Sequence, residues 1–142
     1  MFSREEAKKL RQDFWISFGK SFPRKWILHR TRIKDFAFKF HFEAKQAMVS
    51  MDLESQDLEK RIELWEKIVA LRTILETEYL PNIQFNDSYI LSNGKEISRI
   101  WVNMPNVSIY NKNTWQETME FLWNNMDKLE AFYMEYEDII NP

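Results

Sequence analysis

Apolar positions along this chain switch between a helical period and a period of two, and each switch marks an element. Ala7, Leu10, Phe14 and Phe18 fall on one face, with Trp15 beside them, and Ser3 with Glu6 has capping-box spacing. A first helix is therefore expected from Ser3 to about Phe18, stopped at Gly19 and closed off by Pro23. Phe36, Phe38, Phe40 and Phe42 then alternate with Ala37, Lys39, His41 and Glu43, and after a turn near Glu43–Gln46 the residues Ala47, Val49, Met51 and Leu53 do the same. That is an antiparallel hairpin with its phenylalanines on the core side, and Trp26–His29 is expected to add a preceding strand.

Ser55–Leu80 returns to a helical period, with Leu58, Ile62, Trp65, Val69 and Leu75 on one face and Pro81 ending it. Ile83 to Leu91 and Glu96 to Val102 flank Ser92-Asn93-Gly94-Lys95, a strong hairpin signal. Val107–Tyr110 reads as a short strand. The last thirty residues form the dominant pattern: Trp115, Met119, Leu122, Met126, Leu129, Tyr133, Tyr136 and Ile140 recur at spacings of four and three. They make one apolar stripe on a long helix, opened by a capping box of Thr114 and Glu117. Phe121, Trp123 and Phe132 lie off the stripe and widen it. The expected order is α-βββ-α-βββ-α, a single α+β domain over residues 1–142 with a mostly antiparallel sheet packed by helices.

Composition changes this picture in two places. Aromatic residues make up 15% of the chain, enough to form a core and to leave some over for a partner surface. Charge is divided unevenly: residues 1–45 carry twelve Lys/Arg against five Asp/Glu, a net of +7, and residues 46–142 carry eight against seventeen, a net of −9. The default reading is that the two halves complement one another inside the fold; the alternative is a basic face for an anionic partner. There is no cysteine, which removes disulfides, thiol nucleophiles and thiolate metal sites. No segment has the length and apolarity of a membrane span or the apolar core of a signal peptide, so no membrane association and a cytoplasmic location are expected.

Chemistry is sparse. The only histidines, His29 and His41, sit in no metal-ligand spacing, and His41 is expected to be a solvent-exposed polar position on its strand. With two glycines, each explained locally, phosphate-cradling loops are effectively excluded, as is a Gly-x-Ser-x-Gly nucleophile motif. A divalent-metal nuclease could be assembled from Asp35, Asp52, Glu43-Ala44-Lys45 and Glu5 or Glu6. However, Asp35 and Glu43 lie about 26 Å apart along one strand at roughly 3.3 Å per residue. The more informative stretch is Lys20, Arg24, Lys25, Arg30, Arg32 and Lys34, fifteen residues without an acid and with Phe22 and Trp26 interleaved. Such a segment can bind phosphates and stack bases, or it can be a solvated edge that deters strand pairing.

Arg11-Gln12-Asp13-Phe14-Trp15-Ile16-Ser17-Phe18-Gly19, Ile33-Lys34-Asp35, Gly94-Lys95-Glu96-Ile97-Ser98-Arg99-Ile100 and the stretch Trp115 to Ile139 together resemble a bacterial family, domain of unknown function 4268, in its short stand-alone members. Longer members of that family carry the domain behind segments that look nuclease-like, so the resemblance implies an association with DNA systems and supplies no catalytic residues. The expectation is a non-catalytic interaction module without a cofactor or metal. It would bind a protein partner or a second copy of itself, with Trp123 and Phe132 marking the interface. Lys20, Arg24, Lys25, Trp26, Arg30, Arg32 and Lys34 are the candidate nucleic-acid contacts. The alternatives are the nuclease and a purely structural monomer.

Overall fold

The computed structural model describes residues 2–142. Helix α1 (Arg4–Ser21) starts at the expected capping box: the Ser3 hydroxyl accepts from the Glu6 N–H and the Glu6 carboxylate accepts from the Ser3 N–H, both at 3.1 Å. Gly19 does not stop this helix. Helical turns continue to Ser21, and the chain departs at Phe22, where the following Pro23 disfavours helical backbone.

Two hairpins build one antiparallel sheet in the order β1-β2-β4-β3. Strands β1 (Phe36–Phe42) and β2 (Gln46–Leu53) pair Phe36 with Leu53 and Phe42 with Ala47. Strands β3 (Gln84–Ile90) and β4 (Glu96–Pro105) are joined through Asn93-Gly94, where Gly94 takes the positive φ of 87° that the turn requires. Strand β4 also pairs with β2, setting Val102 against Val49 and Ile100 against Met51.

The two outer strands expected from the sequence do not form, so the order is α-ββ-α-ββ-α. Trp26–His29 contributes a single ladder-like bond, from the Phe38 N–H to the Leu28 carbonyl at 3.0 Å. Left-handed backbone at Leu28, Arg32 and Asp35 breaks any extended path there. At Val107–Tyr110 the Ile109 N–H reaches the Glu43 carbonyl at 3.0 Å, and Val107 and Ile109 are buried as plugs beside the hairpin. Alternating hydrophobicity at both sites reflects insertion into the core without a strand.

Between the hairpins, helix α2 (Leu58–Val69) breaks at Ala70-Leu71 and continues as a short turn, α3 (Arg72–Ile74), and a π-helical turn over Leu75–Tyr79. Helix α4 (Trp115–Ile140) closes the fold. Its Thr114 capping box is absent. The Thr114 hydroxyl lies within hydrogen-bond reach of the Ser108 and Asn111 carbonyls and accepts from the Ser108 N–H, so it secures the preceding loop.

Six of the eight stripe residues of α4 are buried, and Trp115 and Tyr136 are partly so. The stripe meets the phenylalanine face of the sheet, where the Tyr133 ring lies 5.7 Å from Phe36 and 5.5 Å from Phe38. Helix α1 packs on the same face, with Phe14 edge-on to Phe42 at 4.6 Å and to Trp115 at 5.4 Å. So does α2, through Trp65 against Phe85 at 5.9 Å. The helix stripe is covered by its own chain.

Residues 22–35 form a strap that runs from α1 to β1 and is clamped onto α4. The Glu130 carboxylate, almost wholly buried, accepts the Ile27 N–H at 2.6 Å and lies 3.5 Å from Arg24, which also bonds Asp127 at 2.5 Å. The Tyr133 hydroxyl donates to the Thr31 carbonyl at 2.7 Å, and the Thr31 hydroxyl donates to the Phe36 carbonyl at 2.8 Å. Replacing Tyr133 with Phe leaves the Thr31 carbonyl without this partner inside the protein. The expected cost is about 1–3 kcal/mol, measured by urea unfolding, with proteolytic cleavage of the variant appearing first within the strap.

Candidate functional site

With all three long helices on the phenylalanine face, the opposite face of the sheet holds the side chains that alternate with the core. Lys39 and His41 come from β1, Met48, Ser50 and Asp52 from β2, and Arg99, Trp101 and Asn103 from β4. At the centre, Arg99 donates to both Asp52 oxygens, each at 2.8 Å, and Lys39 lies 3.8 Å from Asp52 and 2.7 Å from Glu54. Tyr89 covers the Arg99 guanidinium at 4.4 Å and stands edge-on to Trp101 at 5.4 Å. Gln84, Asn103 and Gln46 extend the layer as an amide ladder with bonds of 3.0 and 3.3 Å. Asp52 and Ser50 have no exposed surface although the long helices pack on the opposite face.

Burial works against the Arg99 charge, but the hydrogen bonds and charge of Asp52 more than restore it and hold the guanidinium above its ordinary pKa. His41 is not the exposed position expected. Its Nε2 lies 2.8 Å from the Ser50 Oγ, and burial, reinforced by Arg99, drives its pKa down to about 4.

Ser50, His41 and Asp52 share this face, yet they do not form a hydrolytic triad. Both Asp52 oxygens are held by Arg99, the Ser50 hydroxyl is enclosed, and no bond joins Asp52 to His41 among the described residues. The nuclease constellation is not assembled either. Asp52 is locked in its ion pair, Asp35 is exposed at the start of β1, Glu43 lies at that strand's far end, and Glu6 caps α1 on the other side of the sheet. Among the described residues no group of three or more His, Asp or Glu is placed to hold a metal ion.

The seven basic-stretch residues divide into two sets. Arg24 is taken into the clamp, and Trp26 is buried beneath it, with the Arg24 guanidinium 4.1 Å above its ring and Phe40 at its edge. Lys20, Lys25, Arg30, Arg32 and Lys34 are exposed and, among the described residues, none is in an ion pair. Arg30 is aimed by a 2.6 Å bond from its guanidinium to the Trp26 carbonyl. The halves of the chain therefore complement one another at Arg24 and at Lys39, while the other five cations of the basic stretch are exposed.

Of the two expected interface residues, Phe132 is fully enclosed between Tyr79 and Tyr136, which leaves it nothing to offer a partner. Trp123 is half-buried, edge-on to Trp26 at 6.0 Å and 5.3 Å from the Arg24 guanidinium. The residues that organise the site, Glu130, Arg99, Asp52 and Tyr89, give little local signal. Their partners stand 47 to 106 positions away, except for Tyr89, which meets Arg99 across a hairpin.

Compared with protein families, the chain matches a domain of unknown function (DUF4268) over residues 10–137. No curated protein and no solved structure matches it.

His41 makes the sheet layer sensitive to acid. The unfolded chain takes up a proton below pH 6.5, whereas the folded imidazole resists until about pH 4. Stability therefore falls as pH drops through this window and levels off below it. The loss attributable to His41 is on the order of 3 kcal/mol. Urea unfolding at pH 7.5 and 4.5 should show a gap that narrows in His41→Gln, which keeps a polar partner for Ser50 and does not titrate.

Proposed function

We propose that this chain, which belongs to the DUF4268 family, is a non-catalytic interaction module that grips nucleic-acid phosphates through its strap. The observation that carries this reading is the array of five exposed cations, Lys20, Lys25, Arg30, Arg32 and Lys34, with Arg30 to Lys34 on backbone fixed to α4 by the Glu130 and Tyr133 bonds. A clamped strap has already lost much of its conformational freedom, so less is lost on binding. Left-handed residues at Leu28, Arg32 and Asp35 point the same way, because backbone strain of about 1–3 kcal/mol persists only where surrounding contacts enforce it. Phosphate contacts of this kind position a nucleic acid without reading its bases. Among the described residues no helix is long and apolar enough to cross a membrane.

Fluorescence anisotropy with a labelled 20-base-pair DNA tests the reading. Five phosphate contacts imply a loss of affinity of several hundredfold between 50 and 200 mM salt. The triple variant Arg30→Ala, Arg32→Ala, Lys34→Ala should weaken binding at 50 mM salt and flatten the logarithmic salt slope by about 2.7. No binding at 50 mM salt, or equal binding by the variant, defeats the proposal.

A further inference from the structure

Helix α2 turns Arg61, Leu64 and Ile68 toward the fold and leaves its most regular apolar row outside. Leu58 is 56% exposed and Ile62 46%, with Trp65 and Val69 half-buried below them. Their spacing of four, three and four makes a ridge about 16 Å long. The ridge forms one wall of a groove of about 670 Å³ whose other wall is the end of β3 and the start of β4. Arg61, bonded to the Glu96 carboxylate and to the Ser55 and Glu96 carbonyls, holds this end of α2 against the sheet and keeps the groove open at a fixed width.

Charge decides what the groove can accept. Glu66 and Asp87 line it, Glu59 follows Leu58 on α2, and among the described residues none of the three is in an ion pair. A second copy fits poorly: in an antiparallel pair of α2 helices across this ridge, Glu59 of one chain would face Glu66 of the other, and like charges repel. An added strand fits poorly too, because the irregularity between Asn86 and Tyr89 breaks the β3 edge beside the groove.

We infer that the α2–β3 groove is a docking site for an amphipathic helix of a partner protein, one with large apolar residues on one face and lysine or arginine on its flanks. The apolar face covers Leu58, Ile62 and Trp65, and the basic flanks meet Glu66 and Asp87, in the helix-in-groove mode. The groove lies at the β3 edge of the sheet and the basic strap at the β1 edge, so the two sites can be filled at once.

A fluorescein-labelled 18-residue model helix, leucine on one face and lysine elsewhere, is the direct probe, with a leucine–glutamate counterpart as its control. The lysine probe should bind the full chain, and its affinity should fall at least tenfold in Ile62→Asp. The separate variant Glu66→Lys, Asp87→Lys should lose binding similarly and gain affinity for the glutamate probe. Both sets of positions are at the surface, and an unchanged melting temperature verifies that each variant folds; the charge variant stands as an independent test if Ile62→Asp does not. The inference is overturned if the lysine probe fails to bind or binds the variants equally. It is also overturned if sedimentation shows a dimer that Ile62→Asp dissolves, since a second copy would then be the occupant.

Discussion

All three long helices crowd onto one face of a four-stranded sheet, so the other face must satisfy its own polar groups without a covering layer. An antiparallel sheet can leave one face in water, and the simplest solution is a row of exposed polar side chains. This chain instead builds a sealed layer in which Arg99 and Asp52 neutralise one another under Tyr89, with Lys39 and Glu54 at the rim. Removing one partner of such a pair leaves a buried charge uncompensated, at about 3–5 kcal/mol. The pair joins β2 to β4, the one contact between the two hairpins within the sheet, so it supports the register on which the phenylalanine face depends.

Sealing the layer also ties its reactive side chains to one another. Both Asp52 oxygens accept from Arg99, and His41, kept neutral and half-buried, bonds the enclosed Ser50 hydroxyl. Reactive residue types are present together, and each is satisfied by another. The accessible features are of a different kind: exposed cations on the strap beside β1 and at the end of α1, and an apolar ridge on α2 with acidic neighbours beside β3.

Periodicity in the sequence carried most of the architecture. The capping box at Ser3, the phenylalanine alternation of β1, the Asn93-Gly94 turn and the stripe of α4 are local patterns, and local patterns report local geometry. Trp26–His29 and Val107–Tyr110 misled because alternation shows which side chains are buried, not whether the backbone finds a ladder partner. Leu58 and Ile62 mark a converse limit. Their spacing marks a helix face correctly, but it does not say whether that face turns inward. Phe132 shows the same limit, since a residue off the main stripe is enclosed by the π-helical turn that brings Tyr79 over it. The clamp and the ion pair were illegible for a simpler reason: a carboxylate on α4 and a backbone N–H about a hundred residues earlier leave no joint trace in a single sequence.

The charge asymmetry of the chain can now be apportioned. Complementation inside the fold uses Lys39, which meets Asp52 and Glu54, and Arg24, which bonds Asp127 and approaches Glu130, and Glu130 is committed further to the Ile27 N–H. Burial raises the pKa of Glu130 against the pull of that N–H and of Arg24, so its contacts offset a real desolvation cost. A fold that needed the basic stretch only for balance would place more of its cations near α4 carboxylates, as it does with Arg24. Five remain outside, Lys20 at the end of α1 and four on a strap that holds left-handed backbone at Leu28, Arg32 and Asp35. The basic stretch of the first third of the chain therefore lies largely at the surface, and four of its cations stand on a strap tied to α4.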